Sequence, residues 1–201
     1  MSSLPSLHPN TKRSIARTRL TDIYGQALAI DDDTLDLVII EQEHHATHSG
    51  DHYFIKRVRD VTGAGTISYS AFVSPDIDLE FHVRAKITAE SEFWAGIYEG
   101  GSVSDLGTPM PSLNNKRNSS KVSKLLGYSN PTVITDGLLI WQGQTGTGGK
   151  PTGVAPEFGY EIVIKRNTIY LFKSVKEAAG THYTTLDFWW YEQEHKSQFE
   201  D

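Results

Sequence analysis

The chain of 201 residues contains no cysteine, which excludes both a disulfide framework and a thiolate zinc site. No apolar run approaches the roughly 18 residues that a membrane helix needs. The opening Met1-Ser2-Ser3-Leu4-Pro5 lacks the apolar stretch of a secretory signal, so the expected product is soluble and made in the cytoplasm. Excess positive charge is missing as well. A net charge of −6 and a pI near 5.7 argue against nucleic acid as the main partner. Catalytic signatures are also absent: there is no Gly-x-Ser-x-Gly elbow and no His-Glu-x-x-His helix. Gly148-Gly149-Lys150 has the look of a phosphate loop, but Gln144 stands where the first glycine belongs and Pro151 follows the lysine.

What is present is alternation. Hydrophobic residues make up 38%, aromatics 10%, and there are 17 glycines, which suits one β-rich domain with many turns. Short β-branched or aromatic segments recur at 35–41, 53–60, 64–73, 79–87, 93–98, 133–142, 160–165, 168–173 and 182–191. The clearest is 79–87, with Leu79, Phe81, Val83, Ala85 and Ile87 inward and Glu80, His82, Arg84 and Lys86 outward. In 64–73, Ile67, Tyr69 and Ala71 share a face. Arg166-Asn167 predicts a tight hairpin joining 160–165 to 168–173, and Asp136-Gly137 interrupts 133–142. Two long loops are expected, 107–120 and 143–156. The fold class is all-β: a jelly-roll-like antiparallel β-sandwich with an extended N-terminal arm. The predicted divisions are a basic arm at 1–34, the sandwich at 35–192 and an acidic tail at 193–201.

The most concentrated chemistry lies at 41–54, where His44, His48 and His52 recur every fourth residue between two apolar segments. Imidazoles on one face could bind zinc or copper, with Glu41, Glu43 or Asp51 completing the shell. Ser49-Gly50-Asp51 breaks a helix through the stretch, however, and adjacent His44 and His45 do not make a cupin His-x-His pair. The expectation is a histidine-rich rim or loop that makes contacts, with no metal and no cofactor. The arm carries Lys12, Arg13, Arg17 and Arg19 and no acid, so it is expected to reach onto acidic surface of a partner. A sugar-binding sandwich is the alternative, with Trp141, Tyr160, Trp189 or Trp190 as stacking platforms. A histidine-metal jelly-roll enzyme is a further one.

Three segments carry a resemblance. Glu-Gln-Glu-His-His-Ala-Thr-His-Ser-Gly-Asp-His-Tyr-Phe at 41–54, the strand at 94–100 leading to the Asn-Lys-Arg-Asn-Ser loop at 115–119, and the closing strand at 186–192 resemble the capsid decoration, or cement, proteins of tailed bacteriophages. That resemblance implies a jelly roll on the outer surface of the virion, made in the host cytoplasm, often trimeric and bound to the major capsid protein. It implies no catalytic residue, no nucleic acid and no membrane. The expected partner-binding residues are Lys12, Arg13, Arg17, Arg19, His44, His48, Asn115 and Arg117.

Overall fold

Because a strand buries one face only, the alternating segments must pair into sheets and stack those faces against each other. The computed structural model describes residues 42–145 and 161–194, all within the second of two compact units, 1–41 and 42–201. The described elements are α1 (Gln42–Ser49), β1 (His52–Thr62), β2 (Ile67–Ser74), β3 (Leu79–Ala89), β4 (Phe93–Glu99), β5 (Ser102–Asp105), β6 (Thr108–Met110), β7 (Leu113–Asn114), β8 (Leu126–Ser129), β9 (Thr132–Thr135), β10 (Leu138–Thr145), β11 (Ile162–Ile164), β12 (Thr168–Lys176) and β13 (Thr181–Glu194).

Two antiparallel sheets form, in the orders β11-β3-β13-β1-β7 and β10-β4-β12-β2-β8-β6, while β5 and β9 make a separate ribbon. The sheets pack as a sandwich. Phe81, Val83 and Ala85 of β3 are buried as their alternation predicts, along with Tyr53, Ile55, Phe188 and Trp190 of the first sheet and Phe72, Ile97, Tyr170 and Phe172 of the second. Each such side chain contributes about 1.5–3 kcal/mol by leaving water. β13 runs between β1 and β3 in continuous register, so that Tyr191 stands between His52 and His82.

A third layer covers part of the second sheet. Phe172 packs on Phe72 and Phe188, so the adjacent Leu171 points out of the sandwich, yet it is fully buried, as is Ala71. Gly101, at the start of the ribbon, lies against Leu171 so closely that a Cβ would come within 2.5 Å of Leu171 Cδ1. Asp136, at the same end of the ribbon because Ser102 pairs with Thr135, accepts hydrogen bonds from Tyr69 Oη at 2.7 Å and Lys173 Nζ at 2.6 Å.

Several sequence expectations need correction. The segments 160–165 and 168–173 do not form a hairpin: β11 pairs with β3, whereas β12 pairs with β2 and β4. Asn167 has a positive φ of 49°, and Ser74 Oγ, bonded to Lys165 O and to both Thr168 N and O, turns the chain from one sheet to the other. The interruption expected at Asp136-Gly137 is there, but it separates β9 and β10 into different sheets, because Gly137 bends the chain with φ of 90° where a Cβ would meet Glu99 O. The loop at 107–120 includes the short strands β6 and β7, each pairing with a sheet edge. Ile67, Tyr69 and Ala71 do share a face, but it points away from the other sheet, with Ala71 buried and Ile67 49% exposed; the face of β2 toward the other sheet carries the buried Ser68, Ser70, Phe72 and Ser74. β10 runs to Thr145 and β13 to Glu194, so the first residues of the expected loop at 143–156 and of the expected tail at 193–201 are strand; the rest of both, the expected strand at 35–41, and the arm and its boundary lie outside the described residues.

Candidate interface at the histidine helix

The histidine stretch is helical, not a loop. Gln42–Ser49 makes two turns whose only buried side chain among those described is Ala46, 4% exposed. Ser49-Gly50-Asp51 ends this helix instead of preventing it. Gly50 takes φ of 82° and donates to Thr47 O, and Asp51 N donates to Ala46 O, the left-handed glycine stop common at helix C-termini. Lys116 Nζ then caps the helix through His48 O at 2.7 Å, a cation where the helix dipole favours one.

The spacing of four places His44 and His48 one turn apart, both exposed, with their Nε2 atoms 2.9 Å apart. One ring must donate and the other accept, so charging both rings breaks the bond. His52 leaves this series. It opens β1, is buried, and its Nδ1 lies 2.7 Å from Thr47 Oγ1 while Nε2 faces Glu43 Oε1 at 3.6 Å. Thr47 Oγ1 gives its one hydrogen to Glu43 O at 3.0 Å, so a neutral ring protonated on Nδ1 fits, donating to the threonine, while the buried Nε2 has no hydrogen-bond partner.

The other expected contacts converge here. Asn115 N donates to His52 O at 2.9 Å, and Arg117 Nη1 donates to Asn114 O at 3.3 Å. Asn114 holds the loop to the helix end by donating to Gly50 O at 2.8 Å and accepting from Lys116 N. Lys121 Nζ pairs with Asp51 at 2.7 Å. His44, His48, Asn115 and Arg117 thus occupy one edge of the sandwich, whereas Lys12, Arg13, Arg17 and Arg19 lie outside the described residues. Sequence reasoning missed Asn114, Lys116 and Lys121, which build this edge. The cations were visible in a polar loop, but nothing local linked them to residues some 70 positions earlier.

Beneath the helix, the outer face of the first sheet carries a linked row of charges. Glu43 Oε2 lies 3.4 Å from Arg84 Nη1, Arg84 Nη2 lies 3.9 Å from Glu161 Oε2, and Glu161 Oε1 meets His82 Nδ1 at 2.6 Å and accepts from Tyr191 Oη at 3.0 Å. The His82 and Tyr191 rings stack at 4.5 Å. Burial, reinforced by the Glu161 carboxylate, pushes the Tyr191 phenol up, keeping it a donor. A groove of about 550 Å³ runs beside the helix, with His45, Asp51, Lys121, Val122, Tyr191 and Glu192 among its walls. Val122 is 74% exposed on it.

Burial lowers the His52 pKa from 6.5 more than Glu43 raises it, and Arg84 lowers it further. The unfolded chain therefore binds this proton more readily than the folded one, and the stability due to neutral His52 is lost as pH falls below about 6.5. Urea midpoints should decline from pH 7.5 to pH 5.5 in the native chain, and His52→Gln should reduce that decline. An equal decline in the variant would remove His52 as its source.

Among the described residues no three histidine, aspartate or glutamate side chains gather as a metal site requires. Of the proposed sugar platforms, Trp190 is 1% exposed and hence core, Trp141 and Trp189 are half-buried, and Tyr160 lies outside the described residues. No family model, curated protein or solved structure matches this chain.

Proposed function

We propose that the chain is a structural virion protein, which decorates and stabilises a bacteriophage capsid by binding the major capsid protein through the α1 edge. One observation carries this reading. Parts of the three segments in which the resemblance resides, far apart in sequence, meet in one place: α1 and the start of β1 receive the 115–119 loop through Lys116 and Asn115, and Glu192 N of β13 donates to Asp51 O at 2.9 Å, while the strand at 94–100 lies in the other sheet. The edge presents exposed His44, His48 and Arg117 beside a groove, a surface suited to a protein partner.

The strand order supports the jelly-roll form of this reading. β1, β3, β11 and β13 lie in one sheet and β2, β4, β10 and β12 in the other, an eight-strand, two-sheet division of the sort used by viral capsid and lectin domains. Exposed Ile134 and Leu138, at 66% and 65%, offer apolar surface for self-association as a trimer.

Binding of purified protein to preassembled heads tests the proposal. His44→Gln, His48→Gln and Arg117→Ala combined should weaken binding at least about tenfold, since contact residues that matter each contribute more than about 1 kcal/mol. The thermal transition should hardly move, because all three side chains are exposed. Deleting residues 1–34 separately tests Lys12, Arg13, Arg17 and Arg19 as a second anchor. Undiminished binding by the triple variant would rule out the α1 edge, and failure of the native chain to bind heads at all would rule out the function.

A further inference from the structure

The inward face of β1 changes character half way along. Tyr53 and Ile55 are core, but the next two residues on that face are Arg57 and Arg59. Arg57 crosses to the other sheet and is well served: it donates to Ser70 Oγ at 3.0 Å, to Tyr69 O at 3.4 Å and to Asn130 Oδ1 at 3.1 Å. Arg59 is not. Its Nη1 is shielded from solvent and has no hydrogen-bond partner. Such a charged donor is normally paired when buried, because leaving it bare forfeits its hydration.

Two further facts sharpen the imbalance. Among the described residues no carboxylate compensates either guanidinium: burial lowers the pKa of both, and the second cause at Arg57 is the positive charge of Arg59. Asp136 is already held by Lys173 and Tyr69. The hydroxyls opposite the arginines add donors. Ser68 and Ser174 share one hydrogen bond at 2.8 Å, which uses one hydroxyl hydrogen and leaves the other, while Ser70 receives from Arg57 and keeps its own. Arg57, Arg59, Ser68, Ser70, Ser174 and Thr184 surround a cavity of about 30 Å³, room for a small ion.

We propose that this cavity is a binding site for a small inorganic anion of chloride size, held between Arg59 Nη1 and the Ser68 and Ser174 hydroxyls, and that the anion joins the two sheets. A group that only accepts hydrogen bonds and carries negative charge answers both the unmatched donors and the like charges; a water molecule brings two hydrogens of its own and no charge. Being formed by both sheets, the site exists only in the folded chain. Its ligand therefore raises stability with ln(1 + [L]/Kd).

The test uses the full chain at fixed ionic strength, with chloride replacing gluconate, which is too large to enter. The native melting temperature should rise with the logarithm of chloride once chloride exceeds its Kd, by about 3–5 °C at ten times the Kd. Arg59→Met should abolish the chloride dependence, and Ser174→Ala should move the onset of the rise to several-fold higher chloride, which serves if the methionine variant does not fold. Crystals grown in bromide should show an anomalous peak within hydrogen-bond distance of Arg59 Nη1 and Ser174 Oγ. Equal chloride responses in the native chain and the variants would mean a surface salt effect and overturn the proposal. So would a bromide derivative with no peak at Arg59.

Discussion

Phe188→Ala is expected to lower the free energy of unfolding by about 3–5 kcal/mol, a large share of the 5–15 kcal/mol that domains ordinarily have. Phe188 lies on β13, the strand flanked on both sides by long partners, and it is 2% exposed. Its ring stands 3.8 Å from Phe72 and 5.2 Å from Phe172 across the sandwich, and 5.3 Å from Trp190 along its own strand. Truncation removes the transfer free energy of the ring and leaves a void bordered by three aromatics on paired strands, which cannot close it without shifting the ladders. Urea unfolding checks this: the midpoint should fall with an unchanged m-value. A loss under about 1 kcal/mol would mean that the two sheets are not held together by this cluster.

The second large effect is expected at Glu192. Its Oε1 accepts from Ser123 Oγ at 2.6 Å, Lys124 N at 2.8 Å and Trp190 Nε1 at 3.3 Å, so one carboxylate oxygen ties the irregular segment before β8 to β13. Ser123 and Leu125 are buried there, and Ser123 Oγ is linked to Leu125 through both its N and its O. Tyr53 senses the same charge, its phenol pushed up to about 12 by burial first and then by Glu192 and Asp51. Glu192→Ala should cost about 2–3 kcal/mol, since it strands donors that lie partly or wholly out of water. Amide exchange at Lys124 and Leu125 should quicken well beyond the global change. If Ser123→Ala added its full cost on top of Glu192→Ala, the two would be acting independently and the network would be refuted.

These effects concern stability, and their positions explain how the proposed interface is built. Glu192 and Asp51 are neighbours through a backbone hydrogen bond, so the loop that Glu192 anchors begins beside the one that Lys116 fastens to α1. Loss of Glu192 should therefore weaken binding to heads indirectly. His44, His48 and Arg117 would act on binding without touching the fold.

The alternation at Leu79–Ala89 is enough to assign a half-buried strand and its inward face, because a period of two can bury one side only. The same holds for the opposite faces of Trp189 and Trp190, one half-buried and the other core. These are local consequences of backbone geometry, and with several such segments and little helical periodicity an antiparallel sandwich follows. Tertiary structure decided what no local pattern contains. The histidine stretch becomes a helix although it has almost no apolar face, since Ala46 alone among its described side chains is buried and its end is held by Asn114 and Lys116. β11 and β12 part to different sheets where a tight turn alone would pair them, because Ser74 takes both ends of the connection. Serines of β2 point inward because arginines of β1 arrive from the other sheet, and burial of a polar group is decided by its partner across space. The chain's own order of residues thus determined strand, face and class, while helix, crossover and polar interior waited on contacts between segments that only the folded sandwich brings together.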